Sequence, residues 1–87
     1  MPLIDMLKID LGITTAAYDE RLISLISTAQ EMIAREGITL RDNYEDAQLI
    51  VMYAAYLWRR RDTMEQMPRM LRYALNNRVF SEKVSNG

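Results

Sequence analysis

Leu49-Ile50-Val51-Met52-Tyr53-Ala54-Ala55-Tyr56-Leu57-Trp58 is a run of ten residues, every one apolar or aromatic. Asp46 and Gln48 stand just before it, and Arg59-Arg60-Arg61 follows it directly. From Ala47 to Thr63 no glycine or proline interrupts the chain. Across Ile50, Val51, Met52, Tyr53 and Tyr56 helix propensity is slightly lowered, but the length and the lack of turn residues favour a helix over a strand. The run is about half of the roughly 20 residues a membrane span needs, so it reads as a buried helix. A helix that is apolar all round must be covered on all sides, and this one therefore organises whatever surrounds it.

Outward from that run, the punctuation is sparse: glycines at 12, 37 and 87 and prolines at 2 and 68. Gly12 and Gly37 suit the positive φ that often follows a helix end, and Pro2 and Pro68 suit a first helical turn. The chain so divides into four helical pieces. The first runs from Pro2 to Leu11, with Leu3, Met6, Leu7 and Leu11 at helical spacing. The second is capped by Thr14 or Thr15, carries Asp19 and Glu20 early, and places Leu22, Ile23, Ile26, Ala29, Met32 and Ile33 on one stripe, with Leu25 off its centre. It ends at Gly37. Ile38 to Asp42 is a short connection, and Asn43 or Asp42 caps the third helix, with Glu45 and Asp46 in its first turn. Asp62 to Met67 is a second connection. Pro68 opens the last helix, with Met70, Leu71, Ala74 and Leu75 as its stripe. Asn76-Asn77 is its expected stop, with Val79 and Phe80 available to lengthen it by a turn. No internal repeat and no strand-like alternation is present. The expectation is an all-α single domain over 1–80. It is a bundle of about four helices, two long and antiparallel with short ones at either terminus, followed by a flexible polar tail at 81–87.

The length of 87 residues allows one domain with a modest core. An apolar content of 49% excludes disorder as the overall state. A net charge of −1 argues against general nucleic-acid binding, which uses a basic face. The chain has neither cysteine nor histidine. Disulfides, thiolate metal sites, a cysteine nucleophile and the commonest general base are thereby absent. Ser24 and Ser27 have no histidine to activate them, and the paired carboxylates Asp19/Glu20 and Glu45/Asp46 are explained as partners of helix dipoles. No phosphate-binding glycine loop, calcium loop or metal-ligand cluster is visible, so no catalytic residue, metal or cofactor is expected. Asp5 follows Met1-Pro2-Leu3-Ile4 with no basic stretch before it, which reads as a cytoplasmic start and not as a signal peptide.

The expected function therefore lies in surfaces. An 87-residue chain has few helices with which to enclose Leu49–Trp58, and amphipathic aromatics are enriched at protein interfaces. Tyr53, Tyr56 and Trp58 are accordingly candidate contacts with another chain, set against the simpler reading of a core enclosed by its own chain. Met64, Met67 and Met70, three of seven methionines, form a candidate docking segment, set against gap-filling in a small core. Arg59, Arg60 and Arg61 close the third helix where cations complement the dipole. With Arg69, Arg72 and Arg78 they would make a basic face if they converge, able to meet phosphates or an acidic partner, and the slightly negative overall charge favours an acidic protein over sequence-specific DNA reading.

The order of these pieces resembles a known family, the small head–tail connector (adaptor) proteins of tailed bacteriophages. Leu7-Lys8-Ile9-Asp10 followed by Tyr18-Asp19-Glu20-Arg21-Leu22-Ile23-Ser24-Leu25-Ile26 is similar to that family's opening: a short helix, a link and an acidic start to an amphipathic helix. Ala47 to Arg60, closing in Tyr56-Leu57-Trp58-Arg59-Arg60-Arg61, is similar to its apolar second long helix. Met67-Pro68 with Met70-Leu71 and Ala74-Leu75 is similar to its proline-started final helix. The resemblance covers Leu3 to Arg78 and rests on order and length. Arg35-Glu36-Gly37-Ile38 keeps the family's glycine and lacks its aromatic residue.

The resemblance implies a non-enzymatic virion protein of the head–tail junction, present in the host cytoplasm during assembly. Such subunits form a homo-oligomeric ring of about a dozen copies beneath the portal protein. The ring extends the DNA channel after packaging and docks the next neck or tail-completion protein. DNA is then passing cargo only, and no membrane is involved. The alternative is a small helical DNA-binding or regulatory protein of phage or bacterial origin. That reading needs a basic recognition face along a helix, whereas Arg59–Arg61 end one.

Overall fold

The computed structural model describes residues 2–63 and 66–86, with the side chains at 61–63, 85 and 86 outside the described set. Among these residues four α-helices follow one another: α1 (Leu3–Leu11), α2 (Asp19–Arg35), α3 (Tyr44–Thr63) and α4 (Arg69–Asn86). No strand occurs among the described residues. The domain measures 45 × 28 × 17 Å.

Local chemistry fixes most helix ends. At the end of α1, Gly12 takes φ 73°, and the Ile13 N–H reaches back to the Lys8 carbonyl at 2.9 Å. At the end of α2, Gly37 takes φ 97° after Glu36. Both are left-handed conformations that a side chain resists, which is why glycine occupies them. At the start of α3, Asn43 Oδ1 accepts the Asp46 N–H at 2.8 Å, a side-chain cap on an otherwise unpaired donor.

The start of α2 differs from expectation. Thr15 Oγ1 accepts the Ala17 N–H at 2.8 Å, which turns the link before the helix, while Tyr18 precedes the helix without a side-chain cap. Asp19 and Glu20 then serve the dipole, and Lys8 Nζ holds Asp19 at 2.8 Å.

The core forms around α3. Met6 and Leu7 come from α1, Leu22, Leu25, Ile26, Ala29 and Ile33 from α2, and Leu71 and Leu75 from α4. On α3 itself Leu49, Ile50, Val51, Tyr53, Ala54, Ala55 and Tyr56 are buried. Leu25 is buried and Ile23 exposed, the reverse of the expected order on α2. At 100° per residue Leu25 falls beside Leu22 and Ala29, while Ile23 lies a quarter-turn from Leu22, away from that arc.

Two expectations about the last helix are corrected. α4 spans 18 residues against 17 for α2, so it is a long helix and not a short terminal one, and it continues through 81–86, where a polar tail was expected. Tertiary contacts carry it past Asn77: Val79 packs against the core, Arg78 reaches Asp46, and Glu82 Oε1 accepts the Thr39 N–H at 3.2 Å. Met70, expected within the buried stripe of α4, is instead exposed.

Candidate interaction surface

The residues expected to contact other chains fall into three groups. Tyr53 and Tyr56 are buried in the chain's own core, their rings edge to face at 6.0 Å and 75°. Burial, with help from the Glu36 charge, raises the Tyr53 hydroxyl above its ordinary pKa, as befits a side chain withdrawn from water. Trp58 is half-buried and stands edge-on to Tyr18 at 5.5 Å and 78°. Met67 is half-buried against the core. α1, α2 and α4 together cover the Leu49–Trp58 run. Three of its ten residues, Met52, Leu57 and Trp58, remain partly exposed.

The surface group is small. Arg59 is exposed and approaches Asp10 at 3.8 Å, and the Arg60 guanidinium lies 6.0 Å from the centre of the Tyr56 ring. Met70 is exposed. The Arg61 side chain and Met64 lie outside the described residues.

Among the described residues, much of the expected basic face is drawn into ion pairs. Arg72 pairs with Glu36 at 2.8 Å. Arg78, 17% exposed, pairs with Asp46, whose side chain is 2% exposed, and also reaches the Thr39 carbonyl at 3.3 Å and Glu82 at 3.6 Å. Asp46 is the polar hub that a reading of the sequence as helix-dipole chemistry missed. Besides Arg78 it accepts the Arg41 N–H at 2.6 Å. Burial alone would raise its carboxyl pKa. The Arg78 and Arg41 hydrogen bonds and their charges outweigh burial and hold it below the ordinary carboxylate value. Arg78 is correspondingly raised by Asp46. This cluster ties the middle of α4 to the α2–α3 connection. The sequence signal available for it was an arginine spaced four residues from Glu82 on the buried side of α4.

On the outward face of α4, Met70 was an expected contact residue and its apolar neighbours were not. Met70 is 76% exposed, Tyr73 58%, Phe80 69% and Val84 64%. With Asn77 they recur at intervals of three and four, and so occupy one narrow arc. Leu71, Leu75, Arg78 and Glu82 occupy the buried arc across the helix axis. α4 is thus apolar on two faces, one turned to its own core and one turned outward.

A groove of about 580 Å³ opens between α1 and the first turns of α3. Buried Met6 and Val51 lie within it, exposed Ile9 and Tyr44 border it, and Asp10 and Asp42 supply negative charge.

No described helix is long and apolar enough to cross a membrane. No protein-family model, curated protein or solved structure matches the chain.

Proposed function

We propose that this protein is a non-enzymatic structural subunit that assembles with copies of itself, as a head–tail connector of a tailed phage or prophage. In this reading the copies form a ring beneath a portal protein. The ring continues the DNA channel and presents a platform to the next neck or tail component. The observation that carries the reading is the outward face of α4. Met70, Tyr73, Phe80 and Val84 remain exposed after the chain has completed a core around α3. Contiguous exposed apolar side chains on a small domain mark a surface that another protein covers. The order of elements supports the connector class, from the short α1 through the acidic start of α2 and the apolar α3 to the proline-preceded α4.

The test is native mass spectrometry of the purified chain over a concentration series, with negative-stain images, alone and with a portal ring. A closed ring of many copies, or a ring that forms on the portal, is the expected result. A closed dimer that does not change with concentration and ignores the portal overturns the proposal, because two-fold closure cannot form a channel.

A further inference from the structure

We infer that the outward face of α4 docks into the α1–α3 groove of the next copy, a head-to-tail contact between two different surfaces of the same chain. This inference deepens the self-assembly reading above and rests on it.

Three matches between the surfaces carry it. The first is chemical: an apolar stripe with two large aromatic rings meets a groove with Met6 and Val51 buried within it. The second is length. At 1.5 Å rise per residue, Tyr73 to Phe80 spans about 10 Å, and so does Tyr44 to Val51, the stretch of α3 that lines the groove. The third is charge. Exposed Arg69 and Lys83 flank the stripe, one before Tyr73 and one after Phe80. Asp42 precedes α3 at one end of the groove, and Asp10, approached by Arg59 from further along α3, marks the other. Opposite charges at both ends add attraction and help set register, and either direction of the stripe satisfies them.

The size is adequate for a weak repeated contact. Tyr73 and Phe80, the pair that matches the groove in length, offer on the order of 300 Å² per copy, so the seated rings bury roughly 600 Å² in total, the size of a weak contact that repetition around an assembly strengthens. Within one chain the contact cannot close, because the stripe points away from the side of α4 that packs on α3. Each copy therefore carries one donor surface and one acceptor surface. Such heterologous contacts generate a ring when the rotation closes and a filament when it does not.

The absence of native cysteine makes disulfide trapping specific. Ile9→Cys and Phe80→Cys replace two exposed side chains, so neither disturbs the core. The two variants are distinguished by mass, mixed in equal amounts and oxidised with dipyridyl disulfide. The expected product is the mixed dimer, joined by a disulfide between position 9 of one chain and position 80 of the other, at least fivefold above either self-disulfide. Lys83→Glu added to the Phe80→Cys chain lowers that yield, and Asp10→Lys added to the Ile9→Cys chain restores it. A dominant self-disulfide of the Phe80→Cys variant overturns the inference, since it means that α4 pairs with a second α4 through its own three-and-four spacing. Mixed and self products in the statistical ratio overturn it too. The connector reading is tested separately by the wild-type ring. Rings without the mixed disulfide leave that reading standing and remove this interface. The mixed disulfide with filaments in place of rings keeps the interface and removes the connector.

Discussion

At the scale of single residues, stability concentrates in positions whose backbone or charge has no substitute. Gly37 holds φ 97° with open space where a side chain would stand, so Gly37→Ala incurs a conformational cost and no clash. That cost is about 1 kcal/mol, read as a shift in the urea midpoint with an unchanged slope. Asn43→Ala removes the cap on the Asp46 N–H and costs a similar amount, about 1 kcal/mol by the same measurement. Asp46 is the more consequential position. Its folded-state pKa lies below the ordinary value of about 3.9, so the unfolded chain binds the proton more readily. Stability from this group is therefore complete above the ordinary carboxylate pKa and is lost as pH falls through the lowered one. Urea titrations between about pH 2 and pH 6 should show that acid-side loss in the wild type and a shallower one in Asp46→Asn. Arg78→Met leaves the buried Asp46 carboxylate with the Arg41 N–H as its remaining hydrogen-bond donor, and should cost about 3 kcal/mol at neutral pH.

At the scale of elements, the two faces of α4 predict opposite responses to truncation. Leu75→Ala opens a cavity in a fully buried site and should cost about 3 kcal/mol. Tyr73→Ser on the outward face should change monomer stability by less than about 0.5 kcal/mol, while native mass spectrometry shows the assembled species lost. The elements also differ in how plainly the chain announces them. Gly12, Gly37, Asn43 and Pro68 act within a turn of their own positions, so four helices and most of their ends were readable from spacing alone. The end of α4 was not. It depends on Asp46 and Thr39, which lie 32 and 39 residues from Arg78, and no local pattern records such a partner. The same holds for Tyr53 and Tyr56. Their type suits an interface as well as a core, and only the path of α1, α2 and α4 around them decides for the core. The candidate surface, Met70 apart, was missed for a related reason. Leu71 and Leu75 explain α4 as a core helix, and its second apolar stripe emerges only once the helix extends to Val84.

At the scale of the whole molecule, the helices are unequally secured. α1, α2 and α3 each pack on both of the others, whereas α4 packs chiefly on α3 and is held by the polar cluster at its middle. Hydrogen exchange should therefore report lower opening free energies for α4 amides than for those of α3 between Leu49 and Tyr56. Uniform protection across the two helices would show that they open as a unit. A helix that both closes its own core and presents the surface for assembly links the two processes. Docking of its outward face on a neighbour would stabilise the inward face as well, since binding only the folded form shifts that equilibrium.

Trp58 is the chain's single tryptophan, and it sits against Tyr18, where the α1–α2 link meets the far end of α3. Its indole is a built-in optical probe of that junction, with its ring partner Tyr18 in the α1–α2 link and not in α4. Far-ultraviolet circular dichroism weighs every helix by its length, so release of α4 alone would dim the dichroism and leave the emission colour of Trp58 unchanged. Two light signals from the unlabelled protein thus separate the loss of one helix from the collapse of the whole.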